Sequence, residues 1–138
     1  MPRRCFSRDS FNERFGQMHK INFIVALYGS GGRADHVMGI LKTLFIARDL
    51  TELPVMLVTE SSISWLLKGS HAIRLESEHI GTKCGLIPLG HSSTVSTTGL
   101  VWNLGIISTS NEVNDTKITI DCDHPILFTI ENRMEISR

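Results

Sequence analysis

INFIVALYGSGGRADHVMGILKTLFIARDL, from Ile21 to Leu50, followed by TELPVMLVT up to Thr59, decides how the first half of this chain folds. Ile21 to Tyr28 is a nearly continuous apolar run of strand length, the pattern of a strand covered on both faces. GSGGRAD then breaks the run, and a helix is expected from about His36 to Arg48. Val37, Leu41 and Leu44 mark one face of it, with Ile40 and Phe45 beside them. Asp35 takes the N-cap position, where its carboxylate accepts bonds from free backbone N–H groups. Pro54 precedes VMLVT, a second buried strand. The whole is one βαβ unit of a parallel sheet. A parallel pair with one crossover helix has unpaired edges and an uncovered face, so this unit is expected to be the last piece of a larger sheet.

After Ser61 the helical period disappears. Short segments follow, among them HAIRLE, KCGLIPLG, STVSTT, GLVWNL, GIISTS, KITIDC and ILFTIE, with Gly, Asn, Asp or Pro between most of them. Short strands separated by turn residues predict an all-β sandwich or barrel. The expected architecture is therefore an α/β remnant followed by an all-β sandwich. Residues 1–20 form a mobile basic leader, 21–64 a partial nucleotide-binding lobe and 65–138 the sandwich. Trp65 is placed between the two lobes.

Composition narrows the function classes. The 138 residues suffice for one core or two small lobes. Fourteen basic residues balance fourteen acidic ones, so the molecule exerts no long-range pull on nucleic acid or an anionic membrane. No apolar run approaches the roughly 20 residues of a spanning helix. Cys5, Cys84 and Cys122 are widely spaced without a CxxC pair, which predicts reduced thiols in a cytoplasmic protein and no zinc site. Arg3, Arg4, Arg8, Arg14 and Lys20 are accompanied by Asp9 and Glu13, which favours a leader over a mitochondrial presequence.

Two stretches carry chemistry. In Gly29–His36, the glycines Gly29, Gly31 and Gly32 let a backbone approach a ligand closely, a helix start offers N–H groups, and Arg33 adds a positive fork. That combination suits a phosphate; an ordinary βα turn with a solvated arginine is the alternative. In Ser92–Asn111 no charged residue occurs, and hydroxyls crowd around Trp102. On a strand, Leu100, Trp102 and Leu104 would share one side. An indole beside Thr97, Thr98, Ser108, Ser110 and the Asn111 amide can stack on and hydrogen-bond a flat heteroaromatic ring, although Trp with two leucines also describes a core. Asp121 and Asp123 in DCDHP, with His124, are read as a solvated strand end in preference to a metal site.

The order GSGGRADHVMGILKTLF, VMLVTESSISWLL, CGLIPLG, TTGLVWNL, STSN and DHPILFTI resembles the C-terminal portion of thiamine pyrophosphokinase (thiamin diphosphokinase), from about Phe23 to Ile130. That resemblance implies transfer of a pyrophosphoryl group from ATP to thiamine with Mg²⁺, giving thiamine diphosphate and AMP. It implies a dimer whose sites lie between the α/β lobe of one subunit and the sandwich of the other. By the same resemblance Arg33 and Asp35 are catalytic and face the nucleotide and the metal, with Asp35 a metal ligand. Gly29, Gly31 and Gly32 lie on the ATP side, and Thr98, Trp102, Ser108, Ser110 and Asn111 line the thiamine side.

The family's GDxDS-like and DxTD-like acidic motifs do not stand before Ile21, and the connection from Trp102 to STSN is shorter than usual. The chain is therefore expected to be a truncated or alternatively started form, of low or no activity alone. A homodimer, or docking onto a full-length subunit, would complete it. The alternatives are a thiamine-binding protein without catalysis and a β-sandwich interaction module.

Overall fold

A computed structural model describes residues 20–29, 31–103 and 110–134. The basic leader, apart from Lys20, lies outside the described residues, as do Cys5, Leu104 and Ser108. The elements are β1 (Ile24–Leu27), α1 (Ala34–Leu50), β2 (Val55–Val58), β3 (Ser62–Arg74), β4 (Ile80–Pro88), β5 (Val95–Thr98), β6 (Asn111–Glu112) and β7 (Lys117–Asn132). These strands form one sheet in the order β1-β2-β3-β7-β4-β6, with β5 also paired to β7.

β1 and β2 are parallel, Ile24 opposite Val55 and Leu27 opposite Val58, with α1 as the connection. The helix starts earlier than its apolar pattern indicates. Arg33 is the extended N-cap, and its carbonyl accepts from His36 N at 3.0 Å and Val37 N at 3.2 Å. Asp35 is thus not the cap but a residue of the first turn, and no side chain caps the helix. Ala34, the best helix former, lets the helix begin two positions sooner. At the far end Thr51 N donates to Ala47 O at 2.9 Å and Thr51 Oγ1 accepts from Leu53 N at 3.1 Å, turning the chain toward Pro54.

β1 departs from the expectation of a strand buried on both faces. All four of its residues are exposed, Leu27 at 69%. Among the described residues β2 is its only strand neighbour, and α1 packs chiefly on β2 and β3 instead. Leu44 of α1 is buried against Leu57 and Leu127, with Ile40, Leu41, Leu66 and Ile87 around them.

Two long strands organise the rest. β3 and β7 pair from Ser62↔Glu131 to Arg74↔Lys117, with a register shift between Leu67 and Gly69. Leu67 faces Ile126 and Gly69 faces Cys122, so Lys68 stands against Asp123, His124 and Pro125. Gly69 adopts φ +80° at this bulge, and Pro125 needs no N–H there. Beyond the bend β7 changes its second neighbour: residues 119–122 pair with β5, and residues 126–132 with β4.

The two expected sandwich sheets are therefore one sheet folded across itself. Its inner face buries Val95, Ile118, Ile120 and Cys122 from one half against Leu67, Leu86, Ile126, Phe128 and Ile130 from the other. Strand alternation sends Leu67 and Phe128 inward, and their neighbours Leu66 and Leu127 toward α1. Trp65 shares the parity of Leu67 and packs, partly buried, against this inner core, while it also lines a cleft walled by Leu44, Arg48 and the turn from Thr51 to Pro54. Its ring meets Phe128 edge-on, with centroids 4.9 Å apart.

Candidate functional site

The carboxyl ends of parallel strands are where α/β sheets place ligands. Here β2 ends in Thr59-Glu60-Ser61-Ser62, a turn tied by its own hydroxyls. Thr59 Oγ1 accepts from Ser62 N at 2.9 Å and Ser61 N at 3.2 Å, and lies 3.0 Å from Ser62 Oγ. Asn132 locks the turn to β7: its Nδ2 donates to Thr59 O at 2.7 Å and its N to Ser61 O at 3.0 Å. Behind them Ser64 Oγ donates to Thr129 Oγ1 at 3.1 Å.

Beside this turn lies a groove of about 320 Å³ lined by Ser61, Ser62, Lys83, Ser110, Asn111 and Thr129, with Glu131 at one side. Gly81 leaves the space that the Glu131 side chain occupies; a Cβ there would collide with it. Cys84 also lines the groove, and burial, with Glu112 nearby, pushes its thiol up to about 11. It is a neutral thiol at neutral pH and no nucleophile.

Sequence reasoning missed the TESS turn, Lys83, Thr129 and Glu131. The close Thr/Ser spacing in TESS marks a hydroxyl turn, but nothing local places residues from four segments around one groove.

Trp102 is tied to this groove through Asn111, and the expected strand through TTGLVWNL is interrupted. β5 stops at Thr98, because Gly99 takes φ +80° and a Cβ there would stand 2.6 Å from Lys117 O. Leu100 and Trp102 therefore do not share an environment: Leu100 is in the core, whereas Trp102 is 50% exposed.

Two asparagines hold the loop. Asn111 Nδ2 donates to Trp102 O at 2.8 Å, while its Oδ1 accepts from Trp102 N at 3.3 Å and Glu112 N at 2.8 Å. Asn103 Oδ1 accepts from Leu100 N at 3.2 Å and Thr97 Oγ1 at 3.3 Å. Asn111, only 5% exposed, spends its amide on the backbone of Trp102.

The expected residues thus separate into three groups. Trp102, Ser110 and Asn111 come together, the last two in the groove. Thr98 is on β5, its hydroxyl 2.6 Å from that of Thr119, and does not line the groove. Gly29, Gly31, Gly32, Arg33 and Asp35 lie at the carboxyl end of β1, with Gly31 at φ +111° and Gly32 at φ +102°. Only glycine adopts such angles without strain. Arg33 forks onto Asp35, Nε to Oδ1 at 3.1 Å and Nη2 to Oδ2 at 2.7 Å, and both side chains are exposed.

Asp121 and Asp123 are likewise occupied. Asp121 accepts from Ser70 Oγ at 2.6 Å. Asp123 accepts from Thr94 N at 2.8 Å and Ser93 Oγ at 2.9 Å, with His124 Nδ1 at 3.1 Å. His124, then the Thr94 amide and the Ser93 hydroxyl, hold its carboxyl below the usual carboxylate range.

Residues 70–127 match the family model "Thiamin pyrophosphokinase, vitamin B1 binding domain". That span contains Trp102, Ser110 and Asn111 but not the glycine turn. Thiamine pyrophosphokinase 1 of Oryza sativa subsp. japonica is 39% identical over 121 residues, 80% of this chain and 45% of the relative. Thiamine pyrophosphokinase 1 of Arabidopsis thaliana is 38% identical over 118 residues, 78% of this chain and 43% of the relative. The thiamin pyrophosphokinase structure from Candida albicans superposes with a TM-score of 0.67 at 25% identity, covering 90% of this chain and 49% of that one. The chain spans less than half the length of these relatives. Over most of its own length, in sequence and in fold, it resembles the thiamine pyrophosphokinases.

Proposed function

We propose that this chain serves thiamine pyrophosphokinase activity, the transfer of a pyrophosphoryl group from ATP to thiamine that yields thiamine diphosphate and AMP. The observation that carries this reading is the half-exposed Trp102, clamped by a buried asparagine beside a hydroxyl-lined groove, within the residues that match a vitamin B1 binding domain. In this reading the indole stacks on the aminopyrimidine, and Ser110, with Ser108 outside the described residues, offers hydroxyls to its edge. Asn111 positions the indole and does not itself touch the vitamin. Thr98, turned to Thr119, stands further from the ring than its place in the sequence motif implies.

For the nucleotide, the glycine turn and the first N–H groups of α1 offer a phosphate cradle. Arg33 would have to release Asp35 to reach it. Mg²⁺ typically takes one or two carboxylates together with substrate phosphates. Asp35 is engaged by Arg33, and among the described residues no group of three metal-ligating side chains occurs. The described residues therefore do not form a site for the ion by themselves.

That mismatch favours a second form of the same reading, in which the chain binds thiamine and a neighbouring lobe or subunit completes the catalytic side. The exposed apolar edge at β1 supports a βαβ unit, residues 21–64, that belongs to a larger sheet, with residues 65–138 as the vitamin-binding part. A homodimer or a longer partner subunit fits that edge. No helix among the described residues is long and apolar enough to cross a membrane; a cytoplasmic setting is our reading of the reduced thiols.

AMP release from ATP, thiamine and Mg²⁺, followed by a coupled assay on the whole chain, tests the proposal. Thiamine-dependent AMP supports the enzymatic form. Thiamine binding without AMP supports the second, and neither one sinks both.

A further inference from the structure

A second cleft, of about 360 Å³, opens at the other end of β2. β2 pairs with β3 only at Leu57↔Ser64 and Val58↔Ile63, whereas β3 runs on beside β7 to Arg74. From Leu66 onward the two strands splay apart. The last turn of α1 and the turn from Thr51 to Pro54 form the other wall, so the space between is a wedge and not a filled core.

The floor is apolar, made by Leu44, Leu53, Val55, Trp65 and Leu66, among others. The rim is cationic. Arg48 and Lys68 both line the cleft and are exposed, and among the described residues neither has a carboxylate within ion-pair distance. Glu52, the carboxylate in the lining, pairs with neither. His71 adds a third nitrogen base, its Nε2 2.9 Å from Lys68 O, a contact that fixes the bulge carrying Lys68.

We propose that this cleft binds a small anion with a flat apolar body, such as an aryl phosphate or aryl carboxylate. Its ring lies on the floor and its charge meets Arg48 and Lys68. The volume is in the range of small-molecule sites, which combine apolar walls with a few placed polar groups. Two cations bordering a low-dielectric wall focus a positive field into it. Arg48 also outweighs the partial negative charge at the C-terminal end of α1. The cleft lies at the amino end of β2, and the Trp102 groove lies beyond its carboxyl end, so the two sites are separate and this proposal does not rest on the thiamine reading.

The test is a titration of the whole ¹⁵N-labelled chain with 1-naphthyl phosphate, neutral 1-naphthol and inorganic phosphate as probes. Naphthyl phosphate is expected to perturb, saturably, the amides of Leu53, Val55 and Leu66 to Lys68 and the Trp65 indole N–H. The paired change Arg48→Gln and Lys68→Gln should weaken it about 2- to 30-fold, two surface ion pairs' worth. Naphthol and phosphate alone should each bind more weakly by at least the same factor. Saturating thiamine should leave the perturbation at Trp65 in place. Equal binding of naphthol and naphthyl phosphate, undiminished affinity in the doubly changed chain, or perturbations confined to β1 and Trp102 would each overturn the assignment. Both changed residues are exposed, and an unchanged melting temperature confirms that the fold is intact.

Discussion

At the scale of single residues, the proposed function assigns binding to Trp102 and positioning to Asn111. Trp102 is half exposed, so Trp102→Ala should leave stability within about 1 kcal/mol of the parent and remove the rise in melting temperature that thiamine produces. Asn111 is buried and holds three backbone contacts, so Asn111→Ala should cost about 1–3 kcal/mol in urea denaturation as well as weakening thiamine. Equal stability of the two variants would contradict the assigned roles. Gly99→Ala should cost about 1–3 kcal/mol, because it combines a positive φ with a backbone oxygen 2.6 Å from the new Cβ.

Asp123 gives a pH dependence of definite sign. Its folded pKa is depressed by His124, the Thr94 amide and the Ser93 hydroxyl. The stability it contributes is therefore complete above the unfolded value of about 3.9 and is lost as pH falls through the folded one. Urea midpoints of the parent should drop between pH 5 and pH 3 more steeply than those of Asp123→Asn. Parallel curves would contradict the role of this carboxylate.

How much of the site the sequence revealed depends on what each residue contacts. The TTGLVWNL and STSN runs pointed to Thr98, Trp102, Ser108, Ser110 and Asn111 as a group; Asn111 bonds the Trp102 backbone and lines the groove with Ser110, whereas Thr98 turns to Thr119 and Ser108 lies outside the described residues. Why Asn111 matters was not legible, because its partners are backbone groups of a loop that a period-2 reading took for a strand. Lys83, Thr129 and Glu131 were invisible for a different reason: they meet only through strand pairings between distant segments.

At the scale of elements, the sequence pattern identified the helix face correctly, with Leu44 as its buried centre, but not the exposure of β1. An apolar run describes what a strand prefers to contact, and among the described residues that contact is not made. Leu27→Lys places a charge on that open edge. It should leave stability within about 0.5 kcal/mol and lower any self-association seen by sedimentation; unchanged self-association would remove β1 as its cause. The bend shared by β3 and β7 was also hidden, because KITIDC and ILFTIE read as two strands with a Pro turn between them. Pro125 instead sits in a bulge inside one strand of 16 residues.

At the scale of the whole molecule, one sheet serves two purposes. Its parallel end presents a glycine turn, and its folded antiparallel end encloses a core on which Trp102 and the groove are mounted. The charge balance that argued against nucleic acid also leaves the groove mixed in sign, with Lys83 and Glu131 both lining it. The central claim is that Trp102, held by Asn111, grips the vitamin. It is tested most directly by calorimetric titration of thiamine into the whole chain and into Trp102→Ala. Saturable binding by the parent, weakened about 5- to 150-fold in the variant, is the predicted result, the worth of one stacked ring. Equal affinity of the two proteins, or no heat of binding in either, would contradict it.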